Sequence, residues 1–100
     1  MPTPETRRQG VYWIITLSTA NSPVEPKLSY GVVWAKGQKE VGNGGFEHWQ
    51  FVAAFKPKAS LRVVQRCFPS AHAELTRSEA AIAYCFKEDT RVEGTQFERI

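Results

Sequence analysis

The segment Val11-Tyr-Trp-Ile-Ile-Thr-Leu-Ser18 is built from β-branched and aromatic residues, a pattern that predicts a central strand. A second strand is expected from about Tyr30 to Glu40. Gly42-Asn-Gly-Gly45 then reads as a turn, and the aromatic-rich run from about Phe46 to Phe55 as a third strand in a hairpin with the second. Ser60 is a good helix N-cap ahead of Leu61, Val64 and Phe68 at helical spacing, and Pro69 stops that helix. Ala71-His-Ala-Glu-Leu75 alternates as a short fourth strand. Thr76-Arg-Ser-Glu79 has the form of a capping box, in which the threonine hydroxyl satisfies the amide three residues on and the glutamate reaches back. The helix it opens is expected to run through Ala80, Ala81 and Ala83 to about Lys87. Residues 1–10 read as a flexible basic arm, Asn21 to Pro26 as a loop, and Glu88 to Ile100 as a polar, weakly patterned tail.

Short connections between strands favour an antiparallel sheet, here of about five strands with helices packed on one face, in an α+β sandwich. The other face is then open to a ligand. At 100 residues the chain is one domain, and 42% hydrophobic residues supply one core. A net charge of +3 permits a polyanionic partner without demanding one. Cys67 and Cys85 form no C-x-x-C pair, which argues against a zinc knuckle or a disulfide scaffold; each reads as a buried reduced thiol in a helix. With no secretory signal and no apolar run of bilayer length, a soluble intracellular protein is expected.

Strand parity decides which side chains meet. In the third strand His48 and Gln50 share one face, while Trp49, Phe51 and Phe55 share the other, which is the natural core side. If the hairpin pairs as read, Glu40 can approach His48 across the sheet. Imidazole, amide oxygen and carboxylate together suit Mg²⁺ or Mn²⁺. Taken alone, H-x-Q on a strand is more often a solvated polar face, and Glu40 a turn-flanking charge. In the last helix Tyr84 and Lys87 are three apart and share a face, with Ile82, Cys85 and Phe86 on the core side. A lysine beside an exposed tyrosine favours the phenolate and hence a nucleophile; a surface pair with the lysine stem packed on the ring is the plainer reading.

In order along the chain, Ile14-Ile-Thr-Leu-Ser18, Glu40, Glu47-His-Trp-Gln50 and Tyr84-Cys-Phe-Lys87-Glu-Asp-Thr90 resemble the replication initiator (Rep) proteins of small circular single-stranded DNA viruses. These are the circovirus, nanovirus and geminivirus Reps of the HUH endonuclease superfamily. Lys36-Gly-Gln-Lys-Glu40 and Leu75-Thr-Arg-Ser-Glu-Ala80 resemble many unclassified Reps of the same group. The resemblance covers about residues 10–97, and the tyrosine motif is its most specific part.

The resemblance implies a metal-dependent endonuclease that nicks and rejoins single-stranded DNA at a viral origin stem-loop, starting rolling-circle replication in the host nucleus. It implies Glu40, His48 and Gln50 as ligands of Mn²⁺ or Mg²⁺, Tyr84 as the nucleophile that forms a 5′-phosphotyrosine, and Lys87 as its partner. Ile14 to Ser18, including Thr16, would be the first family motif, touching DNA from the first strand; many relatives have asparagine where Ser18 stands. Gln50 replaces the second histidine of the superfamily's namesake motif, as in circovirus and nanovirus Reps. These proteins normally continue into a helicase domain with a P-loop. No G-x-x-x-x-G-K-[ST] occurs here, so residues 11–100 are read as the nuclease domain alone, any oligomerisation resting on regions outside it.

Single strands are held by stacking platforms and basic grooves. Tyr12 and Trp13 are candidate aromatics; Trp49, opposite in parity to His48, belongs to the core. Arg7, Arg8, Lys36, Lys56, Lys58 and Arg77 are candidate phosphate contacts, though for any one of them a solvated charge is the plainer reading. His72, with Glu74 on the same face of its strand, reads as a structural or DNA-contacting histidine and not as a further ligand. The rival function is a non-catalytic module like the RNA-recognition fold, whose aromatic motif Phe51-Val-Ala-Ala-Phe55 superficially resembles. The spacing is off by one and the parity puts those rings on the core side.

Overall fold

A computed structural model of the chain describes residues 9–22, 26–27, 31–42, 44–86 and 90–100, apart from the side chains of Ala81 and Tyr84. Its elements are β1 (Gln9–Ser18), β2 (Val32–Val41), β3 (Glu47–Ser60), α1 (Leu61–Cys67), β4 (His72–Thr76), α2 (Glu79–Ala83) running into a 3₁₀ turn (Tyr84–Phe86), and β5 (Phe97–Arg99). The strands form one five-stranded antiparallel sheet in the order β4-β1-β3-β2-β5. The fold is the expected α+β arrangement.

Period-2 patterning splits the central strands cleanly. Trp13, Ile15 and Leu17 of β1, Ala35 of β2, and Trp49, Phe51, Ala53 and Phe55 of β3 are buried in one apolar cluster with Val64 of α1, Phe68 and Phe97. Phe51 packs edge-on against Phe68, with ring centroids 5.1 Å apart, and Trp49 meets Phe97 in a T at 5.7 Å. Such aromatic pairs add to the burial of the rings themselves. Ser60 caps α1 as expected, its hydroxyl accepting from Val63 N–H at 3.4 Å. Ser70, just beyond Pro69, has a φ of 69°, so the chain turns away from the helix there.

The hairpin between β2 and β3 closes where the glycines predict it. Gly42 N–H donates to Phe46 O at 3.0 Å, and Gly44 and Gly45 have φ of 85° and 81°, which residues with a Cβ rarely adopt. Within β2, Gly37 is needed for another reason: a Cβ there would run into Gln50 O and the Phe51 backbone of β3.

Several boundaries differ from the sequence expectation. β1 begins at Gln9, so Gln9 and Gly10 belong to the sheet and not to the arm; Arg7 and Arg8 lie outside the described residues. β3 is longer than expected and reaches Ser60, because Gly10 of β1 pairs with Ala59 past an irregular stretch. Thr76 ends β4, paired with Tyr12, and its hydroxyl accepts from Ser78 N–H at 3.0 Å, one residue short of the expected capping-box bond. Ser78 O instead accepts from Ile82 N–H at 3.1 Å, so the helix starts later and tightens to 3₁₀ after one turn. The tail is structured: β5 pairs with β2, and Arg91 forms a bridge with Glu40. α1 covers the aromatic core, whereas the 3₁₀ turn lies over the opposite face, where Lys36 Nζ is 5.9 Å from the Phe86 ring centroid. Among the described residues no helix is long and apolar enough to cross a membrane.

Candidate active site

The sheet register assembles the candidate residues. Glu40 pairs across to His48, and His48 to Ser18. One row further in, Gln38 pairs with Gln50, Gln50 with Thr16, and Thr16 with His72. Lys36, Val52, Ile14 and Glu74 make the next row, and Trp34, Ala54, Tyr12 and Thr76 the one after. Because the rows differ by two residues, all these side chains belong to the face opposite the aromatic core.

Across the outermost of these rows, His48 Nε2 lies 3.6 Å from Glu40 Oε1. That is too long for a good hydrogen bond, yet two metal bonds of about 2.1 Å can span it. The imidazole side chain is only 12% exposed and stacks on Phe46, centroids 4.9 Å apart and planes 16° from parallel. Its Nδ1 is buried and finds no hydrogen-bond partner among the described residues. Burying an imidazole in this state costs free energy unless a ligand engages the ring. Glu40 is 2% exposed, and its Oε2 accepts from Gln38 Nε2 at 3.0 Å, which leaves Oε1 turned to the histidine. A buried carboxylate also calls for a nearby cation. Gln50 presents its amide in the adjacent row, with Oε1 accepting from Thr16 Oγ1 at 3.0 Å. A carboxylate, an imidazole and an amide form a hard, mostly oxygen donor set, so the residues present fit Mg²⁺ or Mn²⁺.

The face is less open than the sequence suggests. Gln38, Val52 and Cys85 are fully buried on it or beneath the turn that covers it. Burial, then the charge of Glu40, push the Cys85 thiol up to about 11, while a hydrogen bond with Gln50 works the other way. Cys85, buried and hydrogen-bonded to Gln50, is therefore the anchor that seats the 3₁₀ turn beside Glu40 and Gln50. Tyr84 is the first residue of this turn, so the backbone carrying the candidate nucleophile adjoins the rows of the candidate ligands. Its expected partner Lys87 lies outside the described residues.

The chain belongs to the viral replication protein family. The family described as "Putative viral replication protein" matches residues 10–88. The chain is 37% identical over 90 residues to the master replication protein of Subterranean clover stunt virus, covering 87% of this chain and 30% of that protein. It is 35% identical over 89 residues to the master replication protein of Banana bunchy top virus, with the same coverage. A para-Rep of Milk vetch dwarf C1 alphasatellite is 32% identical over 90 residues, covering 86% of this chain and 31% of that protein. The chain thus spans about 30% of the length of these relatives.

The expected DNA contacts fall into three groups. Tyr12, 37% exposed, Thr16, Ser18, Lys36 and His72 lie on the site face. His72 pairs with Glu74 at 3.1 Å, both largely exposed, and stands on the edge strand of the Gln50 row, with β1 between it and β3. Lys58 and Arg77 are exposed and line adjoining grooves of about 250 and 390 Å³ with Gln9, Tyr12, Leu75 and Thr76; Lys56 is exposed on the same stretch of β3. Trp13 is corrected: it is 3% exposed in the core, its indole N–H bound to Gly10 O at 3.3 Å, and no ring face is left for a base.

Sequence reading missed Trp34, whose ring meets Tyr12 at 5.9 Å and carries Lys36 Nζ 5.2 Å above it. Its parity with Glu40 in β2 is the signal that could have found it. It also missed Phe46, and the buried Gln38 with its partner Arg91. Nothing local in the tail marks Arg91.

Proposed function

We propose that this chain nicks and rejoins single-stranded DNA at a viral replication origin, as an HUH-type endonuclease with Tyr84 as nucleophile. The observation that carries the reading is the Glu40–His48 pair: a buried carboxylate oxygen facing, at 3.6 Å, the Nε2 of an imidazole whose Nδ1 has no hydrogen-bond partner among the described residues. Membership of the viral replication protein family supports it. Glu40, His48 and Gln50 would hold Mn²⁺ or Mg²⁺, which when bound supplies Lewis-acid polarisation of the scissile phosphate.

The protein's own residues do the rest. Gln38 holds one Glu40 oxygen and so directs the other. Thr16 orients the Gln50 amide. Phe46 shields the His48 ring from water. The Tyr84 phenolic oxygen bonds to phosphorus as the bond from phosphorus to the 3′ oxygen breaks. The products are a 5′-phosphotyrosine and a free 3′-hydroxyl, the phenolic proton balancing the leaving oxygen. Lys87 favours the phenolate. Attack by a 3′-hydroxyl on the phosphotyrosine reverses the step and joins strands, so no nucleotide cofactor is consumed. The strand would cross the exposed Tyr12 ring and the basic groove at Lys58 and Arg77, and the reaction would take place where viral DNA is copied, in the host nucleus.

A binding module without catalysis is favoured by one observation, the Tyr12–Trp34 pair beside Lys36, which suits base stacking. It leaves the buried His48 and Glu40 unexplained. The test is a denaturing gel after incubation with an origin-like single strand and Mn²⁺. Wild type is expected to give a covalent adduct, mapped by peptide mass to Tyr84. Tyr84→Phe should bind the strand and give none. An adduct that persists in Tyr84→Phe, or maps elsewhere, overturns the mechanism.

A further inference from the structure

Arg91 stands where two parts of the candidate site meet. Its backbone is pinned on both sides against the end of β2, by Val41 N–H to Thr90 O and Val92 N–H to Lys39 O, each 2.9 Å. Two of its guanidinium contacts bear on the candidate site. Nε donates to Gln38 Oε1 at 2.9 Å, and Nη2 donates to Phe86 O at 2.7 Å. A guanidinium can only donate, so the amide oxygen of Gln38 must face it and the amide nitrogen must face Glu40. That nitrogen donates to Glu40 Oε2 at 3.0 Å, with Gln38 fully buried. Arginine thereby decides which Glu40 oxygen is spoken for and which is left facing His48. The second hand holds the last carbonyl of the 3₁₀ turn that begins at Tyr84.

We propose that Arg91 is a positioning residue that, through Gln38, fixes the Glu40 carboxylate for metal binding and at the same time ties the Tyr84-bearing turn to β2. The proposal rests on the functional reading above and adds to it a mechanical link between ligand and nucleophile. Lysine cannot replace arginine here, because a point charge on a flexible stem cannot keep two fixed hydrogen bonds at once. Partners that orient metal ligands typically change metal affinity by roughly 10–100-fold when removed, and in-line attack tolerates little misplacement.

The two hands separate experimentally in Arg91→Lys, Arg91→Ala and Gln38→Met, the last keeping side-chain length but losing the relay. The first measurement is Mn²⁺ binding to the protein without DNA, by calorimetry. The dissociation constant should rise about tenfold in all three variants. The second is kcat and KM for adduct formation at saturating Mn²⁺. Gln38→Met should then recover several-fold more kcat than either Arg91 variant, because the hold on Phe86 is intact. Both Arg91 variants should stay about tenfold or more below wild type, with KM for the strand unchanged. Thermal melts by circular dichroism check folding; if Arg91→Ala does not fold, the lysine and Gln38→Met variants carry the comparison. Wild-type Mn²⁺ affinity in both Arg91→Lys and Gln38→Met overturns the proposal. A raised KM with unchanged kcat also overturns it, making Arg91 a DNA contact. If wild type forms the adduct while either of these results is found, the functional reading survives and only the brace fails. Wild type that binds no Mn²⁺ removes both.

Discussion

The two faces of β3 are made by one backbone and differ in kind. Trp49, Phe51, Ala53 and Phe55 face α1 in an apolar cluster, where side chains are held by shape and exclusion of water. His48 and Gln50, one residue out of phase, face Glu40, Gln38 and Thr16 in a setting that is also largely buried but polar. On the first face every group is content with its neighbours. On the second, hydrogen bonds account for Gln38, one Glu40 oxygen and Gln50, while His48 Nδ1 is left without one among the described residues. A sheet can tolerate such a group because the opposite face carries the stability. The polar face is thus free to be arranged for a ligand.

The sharpest way to break this division is a pair of truncations one parity step apart. His48→Ala should cost about a thousandfold or more in adduct formation with Mn²⁺, in line with removing a principal electrostatic element of a site. Its melting temperature should stay within about 5 °C of wild type, since no satisfied hydrogen bond is lost. Phe51→Ala should cost about 3–5 kcal/mol of stability, because it empties the centre of the aromatic cluster. Adduct assays and thermal melts on both proteins check this. Wild-type cleavage by His48→Ala would remove the metal assignment, and a large loss of stability in it would move the histidine into the core.

How much of this was legible in the sequence follows the same division. The core face was, because alternation and the Ser60 and glycine signals are local: the hairpin and α1 appear where their residues predict them, and β1 and β3 cover their predicted runs and extend beyond them. The parity of His48 and Gln50 was equally readable. Trp13 was misassigned although its parity with Ile15 and Leu17 already placed it in the core. What lies beyond local pattern was not readable. β5 is three residues with one large apolar side chain, Phe97, and exists because β2 offers an edge. The buried Gln38, which holds Glu40, accepts a hydrogen bond from Arg91, 53 positions away in the chain. Thr76 looked like a cap, yet pairing with Tyr12 keeps it in β4 and delays the helix.

Gly37 probes how closely the two faces are coupled. It sits between Lys36 and Gln38, in β2, at the point where β3 presses closest. Gly37→Ala puts a methyl group against Gln50 O and Phe51, on the core side. Overpacking of this kind costs about 1–3 kcal/mol. Because Gln50 is the residue pushed, the Mn²⁺ dissociation constant should rise as well, by about threefold. Chemical denaturation and metal titration of the same sample check both. A stability loss with unchanged metal affinity would show that the sheet insulates one face from the other.

Gln50→Ala is the mildest test and the one that most directly asks whether the polar face binds a cation. An amide oxygen is neutral, so it contributes less to a divalent ion than Glu40 does, and a water molecule can take its place. The side chain is held by Thr16 on one side and by Cys85 on the other, so its oxygen is already oriented and the site loses a prearranged ligand on truncation. The expected result is a rise of about tenfold in the Mn²⁺ dissociation constant, with cleavage restored by excess metal. The fold should be nearly unaffected, because Thr16 is half-buried and can turn its hydroxyl to water. Thr16→Val should show the same change in weaker form, since it frees the amide without removing it. Metal titrations followed by adduct yield, run for both variants beside wild type, decide the matter. A cleavage defect in Gln50→Ala that no concentration of Mn²⁺ relieves would mean that Gln50 touches DNA and not the ion, and the ligand set would then reduce to Glu40 and His48.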